Sequence, residues 1–141
     1  MAAVTRVKAR PVSPPGYEVN DKGKAAVAIT AGDLLIITDA TPGNGYEKVW
    51  DLAPTTTDNA HGIALMDAKA GLIVSVGIQG EMDGFSGMTP GDPLYPSGDV
   101  AGGIDTTAPE YYGAATTPEV SVPAQADIRA ISATRIRYSF V

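Results

Sequence analysis

The sequence predicts an all-β domain with at most one short helix, and three observations carry that expectation. A turn-and-strand phrase recurs as Ala31-Gly32-Asp33-Leu34-Leu35-Ile36-Ile37, Ala70-Gly71-Leu72-Ile73-Val74 and Pro90-Gly91-Asp92-Pro93-Leu94-Tyr95. Each copy sets a glycine where the backbone must turn and follows it with residues suited to a strand. Gly and Pro, 16 and 11 of 141 residues, punctuate the chain often without reaching the ~25–30% of low-complexity sequence. No segment longer than about ten residues has helical periodicity, whereas strict alternation is plain at 72–79 and 135–140.

Taken in order, residues 1–23 read as an extended N-terminal arm and residues 24–141 as the β domain. Arg6, Lys8 and Arg10 occupy alternate positions, so an extended backbone projects all three to one side. With Val4 and Val12 they are the candidate contacts of the arm. Pro11, Pro14, Pro15 and Gly16 exclude a regular helix there and should end any strand. The arm is expected to be disordered or laid along a neighbour.

Ala25–Thr30 and Leu34–Thr38 flank the first glycine turn and read as a hairpin. The run Leu34-Leu35-Ile36-Ile37 suits a strand covered on both faces. Residues 39–45 are a loop, Tyr46–Leu52 a strand carrying the only tryptophan, Trp50, and Pro54–Asn59 a second polar loop. Gly62–Met66 fits a strand or one helical turn. Leu72, Val74, Val76 and Ile78 mark a strand with one face inward, and the sequence around Met82, Gly84 and Phe85 reads as its end. Ile136, Tyr138 and Phe140 alternate with Arg135, Arg137 and Ser139, which places both arginines away from the core.

Charge is unevenly spread. The net charge is −6, yet residues 1–24 carry +3 and residues 129–141 another +3, leaving −12 on the middle. Basic ends on an acidic body point to ends that meet an acidic partner. Zero cysteines exclude disulfides and thiolate metal sites. The first ten residues hold no stretch of signal-peptide length, and no run approaches a membrane helix, so synthesis in a cytoplasm and use there, or in something assembled there, are expected.

Catalytic constellations are sparse, and no enzyme, metal or cofactor is expected. The single histidine, His61, lacks a Gly-x-Ser-x-Gly nucleophile elbow, Gly84-Phe85-Ser86-Gly87 having the wrong spacing. Glu81 and Asp83, two apart, share a face of an extended segment and form the nearest thing to an acid–base or cation pair. Gly43-Asn44-Gly45 has no Gly-Lys-Ser/Thr after it and is not a phosphate loop. Basic residues are not interleaved with aromatics, so direct nucleic-acid binding is not expected. Trp50, Tyr111 and Tyr112 are the aromatic candidates for a subunit or partner contact, or for a sugar-stacking platform.

The order Gly62-Ile63-Ala64-Leu65, Asp67-Ala68-Lys69-Ala70-Gly71, a valine-rich strand through Val76, Pro90-Gly91-Asp92-Pro93-Leu94-Tyr95 and Gly102-Gly103-Ile104-Asp105-Thr106-Thr107 resembles bacteriophage capsid cement, or head decoration, proteins. The likeness spans roughly residues 24–138 and rests on glycine turns, with no catalytic residues to transfer. It implies a small β-barrel or β-tulip-like domain, commonly a homotrimer on the outer surface of the virion head. There it would fasten neighbouring major capsid protein subunits of the viral capsid, with no membrane partner. Relative to the simplest members, this chain has a long N-terminal arm and a long 39–59 insertion. The alternatives are a carbohydrate- or receptor-binding β module displayed on a phage head and, from another class, a small hydrolase using His61 with Glu81 or Asp83.

Overall fold

The computed structural model describes residues 4–14, 16–39, 48–56, 60–107 and 127–140. Among these described residues ten strands follow in chain order: β1 (Thr5–Pro11), β2 (Val19–Ala25), β3 (Leu34–Asp39), β4 (Lys48–Leu52), β5 (Gly62–Ala64), β6 (Ile73–Ser86), β7 (Tyr95–Pro96), β8 (Ile104–Asp105), β9 (Asp127–Ala130) and β10 (Ile136–Ser139). No helix occurs among the described residues. The all-β class expected from the glycine phrases is therefore the class of the fold.

Eight strands form one mixed sheet, and β7 and β8 pair separately. Following β2–β4–β3–β5–β6 and back to β2 traces a ring in which only the β2–β4 step is parallel. The ring is partial and not a clean barrel. Its weak side is β5, three residues long, joined to β3 and β6 by two residue pairs each.

The organising element is β6, whose 14 residues serve two neighbourhoods. Its first half, Ile73–Gln79, lies between β2 and β5. Its second half, Gln79–Ser86, lies between β10 and β1. The strand thus runs through the Met82–Phe85 stretch expected to end it. Met82 and Phe85 are buried, so core contacts outweigh the low strand propensity of Gly80 and Gly84.

Two hydrophobic clusters follow from this division. Leu34, Met82, Phe85, Ile128, Ile136 and Tyr138 anchor one, and Leu35, Trp50, Ala64, Val74 and Val76 the other. Successive side chains of β3 enter different clusters, Leu34 the first and Leu35 the second. This is the strand covered on both faces that its unbroken apolar run predicts.

The recurrent glycine phrase proves to be one turn used repeatedly. Asp33, Leu72 and Asp92 each donate their N–H to the carbonyl three residues back, at Thr30, Lys69 and Thr89. The third residue is Gly32, Gly71 or Gly91, each with φ between 83° and 92°, as a type II turn requires. Gly103 closing on Val100 over Gly102 is a further instance. The expected hairpin across the first copy does not form. Instead β3 pairs with β4 and β5, and on the other side of the Thr30–Asp33 turn Ile29 bridges Ala68.

The segment read as an arm is built into this chain's own sheet. β1 pairs antiparallel with the second half of β6, and β2 with the first half. Val4 and Ala9 are buried in the first cluster. β1 runs along the edge of β6 beside Met82 and Phe85 and adds Val4 and Ala9 to their cluster. As expected, the strand ends at Pro11.

Candidate interaction surface

The five arm residues do not share one side. Arg6 pairs with Phe85 and Arg10 with Asp83, so Val7, Lys8 and Ala9 bulge opposite the single residue Gly84. A side chain on Gly84 would run into the Lys8 carbonyl, and its φ of 95° favours glycine besides. The bulge breaks the alternation that would align Arg6, Lys8 and Arg10. Val4 is buried, with its N–H donating to the Ile104 carbonyl at 3.0 Å. Val12 is half-buried, and its N–H donates to the Glu81 carbonyl at 3.0 Å.

Arg6 reaches inward, its guanidinium 2.6 Å from Asp33 Oδ1 and donating to the Ala31 carbonyl at 3.0 Å. Asp33 Oδ2 in turn accepts the Thr30 N–H at 2.8 Å, so one carboxylate ties β1 to the first glycine turn. Arg10 lies 3.3 Å from Asp83 Oδ2. Arg135 approaches the same oxygen at 3.9 Å, and Arg137 stands 3.6 Å from Glu81 Oε2. The acidic partner of the basic ends is therefore, in large part, the chain's own body.

Glu81 and Asp83 accordingly belong to a cross-strand ladder of alternating charge over β1, β6 and β10. The Gly84 N–H and the Thr134 hydroxyl bonded to Asp83, with Arg10 and Arg135 beside it, hold its carboxyl below the usual carboxylate range. On β2, burial works to raise the Asp21 carboxyl. It is outweighed by bonds from the Lys48 ammonium and the Lys22 N–H and by the Lys48 charge, which leave it lowered. His61 is equally committed, its Nδ1 accepting the Ile37 N–H at 2.9 Å. Among the described residues no group of three or more His, Cys, Asp or Glu is placed to hold a metal ion.

Trp50 is fully buried in the second cluster and presents no surface to a partner or a sugar. Its alternation within β4 points it inward between β2 and β3, a placement set by neighbours far away in sequence. Tyr111 and Tyr112 lie outside the described residues.

The surface that sequence reasoning missed lies between the β1 bulge and the segment after β5. A groove of about 410 Å³ runs there, with Val7 and Lys8 on one wall and Thr30, Leu65 and Met66 on the other. It continues across Met66 and Asp67 into a second depression of about 390 Å³, lined by Lys69, Leu72 and Ile73. Val7 is 80% exposed, Leu72 57%, Ile73 47% and Met66 44%, far above what a covered sheet face retains. The alternation reads Leu72 as inward-facing with Val74 and Val76, but Leu72 precedes β6 and is exposed; Ile73, apolar at an outward position, was the only signal in the sequence.

Lysines border this face. Lys8 and Lys69 line the two depressions, and Lys24 stands directly across from Ile73, with Lys22 next along the same side of β2. All five arginines and Lys48 sit in ion pairs. Lys8, Lys22, Lys24 and Lys69 have no carboxylate within ion-pair distance among the described residues. No protein-family model matches the chain, and no curated protein matches it.

Proposed function

We propose that this protein is a capsid decoration protein of a bacteriophage, binding the outside of the mature head and reinforcing contacts between major capsid protein subunits. The observation that carries the reading is the contiguous exposed aliphatic face of Val7, Met66, Leu72 and Ile73 on a compact all-β domain. Contiguous exposed apolar patches mark contact sites for proteins, membranes or ligands, and a protein contact is the one this reading takes. The residues that carry the family resemblance support it, since Gly62–Ala64 is β5 and Gly71, Gly91 and Gly102 turn the chain between strands. They do scaffolding and no chemistry.

In this reading the protein acts as a homotrimer on the shell, each subunit adding a weak contact that becomes effectively intramolecular once the first has formed. Attachment runs through the folded face and not through a free arm, because residues 5–11 are committed to β6. The test is to mix purified protein with undecorated expanded heads and follow sedimentation and negative-stain images. Co-sedimentation with density at three-fold positions is the expected result. Protein left in the supernatant, or a symmetric dimer on the shell, counts against it.

A further inference from the structure

We propose that the face formed by Val7, Met66, Leu72 and Ile73 docks an acidic, aliphatic segment of a partner protein. The proposal deepens the attachment reading but rests only on its premise that this face meets protein. It holds whatever assembly supplies the segment.

Charge segregation is the main argument. On a chain of net charge −6, the four lysines without a carboxylate partner among the described residues gather at one aliphatic face. The one acid lining either depression, Asp67, has its Oδ1 engaged by the Ala31 N–H at 2.9 Å. Aliphatic side chains of a partner would fill the two depressions while its carboxylates meet Lys8, Lys24 and Lys69 at the rim. That arrangement puts apolar burial at the centre and complementary charge around it. A nucleic acid fits less well, since the lining has no aromatic ring to stack a base, and its one guanidinium, Arg6, is taken by Asp33.

Panning a displayed library of random peptides, roughly 12 residues long, against the immobilised full chain tests this directly. The expected outcome is enrichment of sequences combining Asp or Glu with Leu, Ile or Val. A synthetic copy of the enriched sequence should bind L72S/I73S and K24E/K69E about tenfold more weakly than wild type, and wild type itself more weakly as salt rises. All four substituted positions are exposed, and circular dichroism checks that the fold is retained. No enrichment, basic or neutral sequences, or selected peptides indifferent to both double variants would overturn the proposal. So would a failed selection alongside binding of phosphatidylserine vesicles or a single-stranded oligonucleotide, which would reassign the face. Enrichment of acidic peptides by a protein that ignores phage heads removes the cement reading alone. Full decoration of heads by both double variants, with no peptide selected, removes this inference and the assignment of attachment to this face, and leaves the cement function standing.

Discussion

The two halves of β6 handle the same problem in opposite ways. Along Gln79–Ser86, Glu81 and Asp83 face Arg10, Arg135 and Arg137, so charges brought together by the sheet neutralise one another. Along Ile73–Gln79, the strand that pairs on one side offers Lys22 and Lys24, and no acid of β6 answers them. There Ile73 and the adjoining Leu72 also stay exposed. A self-satisfied half has nothing left to offer a partner, whereas the other keeps both apolar area and positive charge available. The contrast teaches that the basic residues legible in the sequence fall into two classes, structural and free, which only pairing separates.

The largest expected effect comes from breaking the core beneath the free half. Trp50→Ala should cost about 3–5 kcal/mol, lowering Tm by roughly 10 °C or more in a thermal melt. Trp50→Phe should cost much less, because the indole Nε1 has no hydrogen-bond partner to lose. Next in size is Gly84→Ala in the paired half. It forces the β1 bulge away from β6 and should cost about 2–4 kcal/mol by denaturant titration, with faster amide exchange confined at first to β1.

Tyr138 gives the paired half an alkaline limit. Burial, with the nearby Glu18 charge, pushes its hydroxyl up to about 12, above the ordinary 10.0. A raised value means stability fully present below pH 10 and lost as pH rises toward 12, on the order of 2–3 kcal/mol. Tyr138→Phe should flatten the stability profile across that window. Asp83 and Asp21 set the acid side in the opposite sense. Their lowered carboxyls contribute stability above the ordinary carboxylate range, and that contribution is lost as pH falls below it.

Smallest are the surface charges, and here the two halves should part. Arg137→Ala removes a pair between an exposed guanidinium and the buried Glu81 carboxylate and should cost about 1–2 kcal/mol, less in high salt. K24E/K69E should leave stability within about 0.5 kcal/mol while altering association. Equal destabilisation by both would erase the distinction between structural and free cations.

Much of the fold was legible locally. Gly32, Gly71 and Gly91 announced their turns because a positive φ is a property of a single residue and its neighbours. The β10 alternation likewise read true, with Ile136 and Tyr138 buried and Arg137 exposed. The candidate site was far less legible. Arg6, Lys8 and Arg10 looked like one face of an arm until the bulge opposite Gly84 broke their alternation. Trp50 looked like a contact residue because nothing nearby in sequence reveals that β2 and β3 will cover it.

By itself, then, the sequence determined the all-β class, the recurring turn, the stop of β1 at Pro11 and the absence of thiol chemistry. These depend on backbone preference and residue type, which act over a few residues. Tertiary structure alone decided that the N-terminal segment is a sheet strand, that Asp83 answers Arg10 some seventy residues away and that four lysines beside an aliphatic face have no carboxylate partner among the described residues. Strand pairing and ion pairing join residues distant along the chain. Their outcome depends on which partners the ring of strands brings together, a choice made by packing of the two cores.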